Sequence, residues 1–143
     1  MILFNSLNDF TLRQKLLYKR WLSRLAASEG YKIGDINYIF CDDEYLLGIN
    51  QQYLQHDTYT DIITFDYVEG KVLSGDIYIS TERVRENARI YHVDFENELK
   101  RVLSHGVLHL CGYKDKTETD AAQMREKENF AISLFSSQNH VTK

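Results

Sequence analysis

The chain has 143 residues, of which 43% are hydrophobic and 27% are charged, so it is long enough to bury a core and we expect one domain spanning residues 1–143. The formal net charge of −4 argues against a protein that holds RNA or DNA over an extended basic surface, although a local basic patch or a briefly held substrate stays open. No apolar run approaches the roughly 18 to 20 residues of a membrane span, no secretory signal opens the chain, and its two cysteines suggest no disulfide framework. We therefore expect a cytoplasmic protein with no membrane partner.

The first half of the chain predicts alternating strands and helices. Apolar residues such as Leu12 and Leu16 recur at helical spacing, Asn8 or Asp9 can cap the start of that helix, and Gly30 marks its end. The predicted elements are a strand at 2–4, a helix at 9–28, a strand at 36–41 and a helix that follows Asp42 and Asp43.

The second half predicts a hairpin followed by three helices. The elements are strands at 62–68 and 72–79 around a turn at 69–71, a helix from Ser80 or Thr81 to Tyr91, a helix from Asp94 to Cys111, and a last helix that begins near Thr117. Strands and helices do not alternate strictly, so we expect an α+β class, with a small mixed sheet of about four strands packed with about five helices.

The residues that point to chemistry lie at 105–115, HGVLHLCGYKD. His105 and His109 are four residues apart on the predicted helix at 94–111, so both imidazoles project from one face and suit a single metal ion. Gly112 can reverse the chain after the helix, which allows Asp115 to return as a third ligand. Two histidines and one carboxylate leave a position for water, as a catalytic zinc site requires.

A bare pair of histidines at this spacing is more often surface or packed than metal-binding. Gly106 adds weight, because a glycine inside a helix costs about 1 kcal/mol relative to alanine and is explained by close approach of another chain segment or of a substrate. Gly106 also stands where zinc proteases of the HExxH type carry their glutamate base, so a peptidase is disfavoured.

The segment closely resembles the HGxLHLxGYDH signature of the YbeY family of bacterial endoribonucleases, which act in ribosomal RNA maturation. Two more segments resemble family motifs: NQQYLQHDTYTDIITF at 50–65 is similar to NxxYRxxDxPTDVLSF, and the segment at 75–80 is similar to GDIxIS. The resemblance covers roughly residues 45 to 120 in the family's order. It implies that His105 and His109 bind a divalent metal, most simply Zn²⁺, with Asp115 in the place of the family's third histidine.

The resemblance also implies a function. The substrate would be single-stranded RNA, notably around the 3′ end of 16S ribosomal RNA, and the partners would be the ribosome or small-subunit assembly components, in RNA processing and ribosome quality control. No nucleotide cofactor is expected. No general base is identifiable, and attack by a water or by the ribose 2′-OH is equally compatible with these residues.

Two departures from the family bear on activity. Leu54 stands where the family commonly has an arginine thought to serve RNA cleavage, and Tyr59 replaces a proline. Without that arginine another cation must meet the phosphate, and Arg83, Arg85 and Arg89 are candidates, although a solvated helix face is the plainer interpretation. The alternative function is a metal-stabilised ribosome assembly factor with little or no catalytic activity.

The remaining polar residues have plain structural interpretations. Thr60 and Asp61 are expected to hold a turn, with orientation of a metal ligand as the alternative. Asp76 could cap or support a neighbour, and Cys111 is expected to be a small core residue. His56 and Asp57 could border the cleft, whereas His92 and His140 are expected at the surface.

Overall fold

The computed structural model describes residues 1–54 and 59–141, with side chains described as far as residue 137. The described chain forms four strands and five helices. In chain order these are β1 (Ile2–Ser6), α1 (Lys15–Ser28), β2 (Lys32–Cys41), α2 (Asp43–Leu54), β3 (Ile62–Asp66), β4 (Val72–Ser80), α3 (Thr81–Tyr91), α4 (Phe95–Leu110) and α5 (Glu118–Val141). These elements confirm the predicted α+β class.

The four strands form one mixed sheet in the order β1-β2-β4-β3. β1 pairs with β2 and β2 with β4 in parallel, whereas β3 and β4 form the predicted antiparallel hairpin. Side chains alternate between the two faces because the strand repeat is two residues. Ile77 and Ile79 enter the main core, whereas Tyr78 between them packs against a smaller cluster that includes Leu46 of α2 and Ile63 of β3.

Helix α4 lies at the centre of the main core. Asp94 caps its start, since the carboxylate accepts a hydrogen bond from the backbone N–H of Asn97 at 2.7 Å. The close approach predicted from Gly106 is confirmed: a Cβ placed there would lie 2.9 Å from Cδ1 of Ile77 on β4. The glycine therefore lets α4 rest directly on the sheet, and this fixes the helix face that carries the two histidines.

The predicted start of the first helix is wrong. The helix begins at Lys15 rather than at residue 9, after Gln14, which has a left-handed backbone conformation (φ 57°). Asn8 does not cap it; its side chain accepts a hydrogen bond from the N–H of Phe10 and ties this loop to the rest of the fold. Leu12 is buried before the helix begins, and Leu16 is 69% exposed, so the apolar spacing extended past the true boundary.

Each of the four strands differs from its predicted bounds: β1 ends at Ser6 instead of residue 4, and β4 ends at Ser80 instead of residue 79. β2 begins at Lys32 instead of residue 36 and continues across an irregularity in register between Ile33 and Ile36. β3 ends at Asp66 instead of residue 68, and the carboxylate of Asp66 accepts a hydrogen bond from the N–H of Val68. No helix within the described ranges is long and apolar enough to cross a bilayer.

A close contact in the hairpin gives a stability prediction. A Cβ at Gly75 would lie 2.6 Å from the backbone carbonyl oxygen of Phe65, and backbone cannot move aside as a side-chain end can. Gly75→Ala is therefore expected to lower the free energy of unfolding by about 1–3 kcal/mol, measured by urea denaturation. Gly48→Ala is the matched control, since a Cβ there meets nothing within 4 Å and alanine inside helix α2 should raise stability by up to about 1 kcal/mol. Equal stability of the parent and the Gly75 variant would contradict this packing.

Candidate active site

His105, His109 and Asp115 line one cavity of about 450 Å³. The two histidines lie on the same face of α4, as their spacing predicts. After the helix, Gly112 takes a positive φ of 104°, which reverses the chain and brings Asp115 back to the cavity. The structure thus brings together all three residues predicted as metal ligands.

The ring of His105 is held from both sides. Its Nδ1 lies 2.7 Å from Oε2 of Glu128 on α5, and its Nε2 lies 3.3 Å from Oδ2 of Asp115. Burial of the ring lowers the pKa of His105, but the hydrogen bond to Glu128 and the surrounding carboxylates outweigh burial and raise the pKa overall. The metal-free ring therefore keeps its proton to a higher pH than an ordinary histidine, and a cation that binds Nε2 must displace that proton.

Glu128 is itself held by Arg101. The Nη1 of Arg101 donates to Oε1 of Glu128 at 3.1 Å, and its Nη2 donates to Oδ1 of Asn129 at 2.9 Å. The side chain of Glu128 is only 7% exposed. A chain of charged contacts therefore runs from Arg101 through Glu128 to His105 and fixes the orientation of the imidazole.

Among the described residues that line the cavity, carboxylates outnumber guanidinium groups. These charged residues are Asp61, Glu98, Arg101, Asp115, Arg125 and Glu128. Burial raises the pKa of both Asp61 and Glu98 from the ordinary carboxyl value. Four carboxylates against two guanidinium groups favour the entry of a cation, since buried charges need a partner.

The donor set fits a divalent metal ion. Two imidazoles and a carboxylate are ligands that Zn²⁺ accepts, and a carboxylate on the second ring nitrogen, as Glu128 provides, is the usual partner of a metal-binding histidine. Within the described part of the chain, no three His, Cys, Asp or Glu side chains already stand in the arrangement of a complete metal cluster. The metal site accordingly stays a prediction that rests on the residue types and on their shared cavity.

The arginines proposed from the sequence have other partners. Arg83 donates to Asp43 at 2.9 Å, the guanidinium of Arg85 lies 4.9 Å from the ring centre of Phe95, and Arg89 pairs with Glu86. None of these three is among the described residues that line the cavity. The cations that do line it are Arg101 and Arg125, which the sequence did not single out.

Only some of the described residues at 54–61 that resemble the family motif line the cavity. Leu54 ends α2 and is not among the described lining residues, whereas Thr60 and Asp61 are part of the cavity wall. The backbone carbonyl of Asp61 also accepts a hydrogen bond from the N–H of Ser80 at 3.0 Å, which continues the β3–β4 pairing beyond Ile62 and Ile79. The turn expected at Thr60 and Asp61 is not formed, because the chain makes only a bend at Asp61 as it enters β3. His56 and Asp57 lie outside the described residues, as does the side chain of His140.

The other polar residues have structural roles. Asp76 accepts hydrogen bonds from Asn37 and Tyr67, which makes it a support within the sheet. Cys111 is partly buried against the main core, and burial raises its pKa to about 12, so its thiol stays protonated. His92 is exposed at the end of α3, as expected.

Sequence reasoning missed Glu98 and Glu128, although a signal for both was present. Each carboxylate falls on an apolar helix face: Glu98 lies between Phe95 and Val102, and Glu128 lies between Met124 and Ala131. A charged residue at a buried position needs a partner or a function. The identity of the partner could not be predicted, because His105 and Glu128 are 23 residues apart in the chain.

Comparisons with known proteins agree with this geometry. A family model described as Endoribonuclease YbeY matches residues 5–136. A protein named Endoribonuclease YbeY from Flavobacterium psychrophilum is 58% identical over 135 residues, which cover 94% of this chain and 96% of that protein. One of the same name from Christiangramia forsetii is 58% identical over 132 residues, 92% of each chain.

A solved structure extends the agreement to the fold. The solution structure of TM1509 from Thermotoga maritima superposes with a TM-score of 0.68 at 28% sequence identity, over 99% of this chain and 93% of that one. The family model covers nearly the whole of this chain, and the two relatives are identical to it at more than half of the aligned positions. The chain therefore belongs to the endoribonuclease YbeY family.

Proposed function

We propose that this chain is a metal-dependent endoribonuclease that cleaves single-stranded RNA during maturation of the 3′ end of 16S ribosomal RNA and in ribosome quality control, in the cytoplasm. The observation that carries the proposal is the cavity in which His105, His109 and Asp115 converge, with Glu128 on the second nitrogen of His105. The relatives named Endoribonuclease YbeY support the reaction class.

His105, His109 and Asp115 would hold the metal, with Zn²⁺ as the ion that best suits the donor set. When bound, such an ion polarises a phosphoryl oxygen or lowers the pKa of a water. Glu128 would accept the Nδ1 proton of His105 in a hydrogen bond, so that Nε2 would give its lone pair to the ion once the ion has displaced the proton there.

Arg101 and Arg125 would meet the phosphates of the RNA. Both line the cavity, and both carry the positive charge that Leu54 lacks at the family's arginine position. A guanidinium group binds phosphate oxygens in a fixed geometry and stabilises charge that develops on them. The RNA substrate therefore finds cations in the cavity despite the net charge of −4.

Metal removal tests the proposal. Protein treated with a chelator and dialysed is expected to leave a labelled single-stranded RNA intact, and added Zn²⁺ is expected to restore cleavage, read on a denaturing gel. Cleavage by the chelated protein at the rate of the metal-loaded protein would contradict metal dependence. Metal binding without cleavage of any single-stranded RNA would favour the assembly-factor alternative.

A further inference from the structure

One side chain in the cavity has no structural explanation. Glu98 on α4 is only 4% exposed and lines the cavity, yet its carboxylate has no hydrogen bond or ion pair within the part of the chain that the structure describes. Arg101 and Arg125 act on this carboxylate through their charge, but two nitrogens of the Arg101 guanidinium bond Glu128 and Asn129 instead. The carboxylate of Glu98 is not among the fully buried polar atoms without a partner, so its oxygens reach the cavity, where they can accept hydrogen bonds from a ligand.

Two side chains of α3 face the same space. Asn87 and Tyr91 are four residues apart, so they project from one face of that helix, and both line the cavity with Glu98. The ring of Tyr91 is exposed. The amide of Asn87, like the carboxylate of Glu98, has no hydrogen-bond partner among the described residues. An aromatic ring next to free polar groups is the usual composition of a pocket for an unstacked nucleobase.

The distance from the metal ligands suits a neighbouring nucleotide. Glu98 precedes His105 by seven residues, which is about 10.5 Å along a helix axis. At roughly 3.4 Å per nucleotide in a stacked strand, this places the pocket within about three nucleotides of the cleaved bond. Arg125 of α5 lines the same cavity and is exposed, so it can meet the intervening phosphates.

The chemistry of a carboxylate selects among the bases. Guanine offers two adjacent N–H donors on its Watson–Crick edge, and these match the two acceptor oxygens of Glu98. Adenine and cytosine each offer one amino group beside an acceptor nitrogen. Uracil offers one N–H between two carbonyl oxygens, which the carboxylate repels.

We propose that Glu98, Asn87 and Tyr91 form a nucleobase subsite that selects guanine near the cleaved bond of the RNA. The inference rests on the proposed function, which supplies RNA as the substrate, and it adds a sequence preference to that function. Tyr91 stacks on the base, Glu98 accepts the two guanine hydrogens, and Asn87 contacts the remaining base edge.

The test compares two fluorescein-labelled RNA 12-mers, one of alternating G and U and one of U alone, bound to the zinc-loaded protein. Binding is followed by fluorescence anisotropy on ice, and gels check that the RNA stays intact. The parent is expected to bind the G-containing RNA about tenfold more tightly, in the range of one good bidentate base contact. Glu98→Gln is expected to reduce that ratio to about twofold or less. The NH₂ group of the glutamine can donate a hydrogen bond to a uracil carbonyl, whereas in front of guanine it faces another N–H donor.

Controls separate recognition from charge and from folding. Glu96→Gln removes an exposed charge from the same helix outside this cavity, so it should raise the affinity for both RNAs equally and keep the tenfold ratio. Tyr91→Phe should bind as the parent does, whereas Tyr91→Ala should weaken binding of both RNAs about tenfold through lost stacking.

Several outcomes would overturn the subsite. Equal affinity of the parent for the two RNAs, or an unchanged ratio in the Glu98→Gln variant, would overturn it while leaving the proposed function intact. Failure of the zinc-loaded parent to bind either RNA would overturn the proposed function and the subsite together.

Discussion

His109→Ala is expected to weaken zinc binding by more than about 100-fold. Loss of a group that only orients a metal ligand weakens metal binding about 10- to 100-fold, and loss of a ligand itself should have a larger effect. The imidazole of His109 lines the cavity with His105 and Asp115, and alanine leaves only one nitrogen and one carboxylate donor. Two donors hold zinc poorly, because protein sites use three or four. The measurement is competitive titration of zinc against a chromophoric chelator.

The control for this variant is His92→Asn. His92 is exposed at the end of α3 and has a left-handed backbone conformation (φ 57°), which asparagine tolerates. This variant removes an imidazole away from the cavity and should bind zinc as tightly as the parent. Unchanged zinc affinity in His109→Ala would show that the metal ligands lie elsewhere.

Glu128→Ala is expected to affect both stability and metal binding. Glu128 is nearly buried and accepts hydrogen bonds from Arg101 and His105, so its loss removes the carboxylate that neutralises the largely buried guanidinium of Arg101 and leaves it the hydrogen bond to Asn129. Breaking such a pair costs about 3–5 kcal/mol of unfolding free energy. Loss of the contact to Nδ1 of His105 should weaken zinc binding about 10- to 100-fold.

The two effects are measured separately, by urea denaturation of the metal-free protein and by zinc titration of the folded protein. Glu126→Ala, an exposed glutamate on the same helix, is the matched control and should change stability by less than about 0.5 kcal/mol. Glu128→Gln keeps the shape and one acceptor oxygen, so it should lie between the parent and the alanine variant in stability. If Glu128→Ala matched Glu126→Ala in both measurements, the chain of contacts from Arg101 to His105 would not orient the metal ligand.

Local patterns predicted most of the fold. The caps at Ser80 and Asp94 are confirmed by their side-chain hydrogen bonds, because a cap depends on residues three positions apart. The start of α1 was missed because Leu12 packs in the core from a loop, and apolar spacing cannot distinguish a buried loop residue from a helical one. The extra residues of β2 follow from pairing with β4, where Lys32 lies opposite Val72 and Ile33 opposite Leu73, and no local pattern contains that pairing.

Of the candidate site, only the three predicted metal ligands could be placed together from the sequence. His105 and His109 share a helix and Asp115 follows a glycine turn, so their proximity is readable from spacing. Glu98 shares α4 as well, yet the role that we propose for it depends on Asn87 and Tyr91 of α3, and Glu128 comes from α5. Contacts between helices far apart in sequence set the electrostatics of the cavity, and a single sequence does not record them.

Cleavage of a labelled single-stranded RNA by the zinc-loaded parent, beside an identically prepared His109→Ala variant, tests the central claim most directly. The account predicts that the parent cuts the RNA internally and that the variant leaves it intact while keeping the parent's circular dichroism spectrum. Equal cleavage by both proteins would contradict an endoribonuclease that acts through a metal on His105, His109 and Asp115.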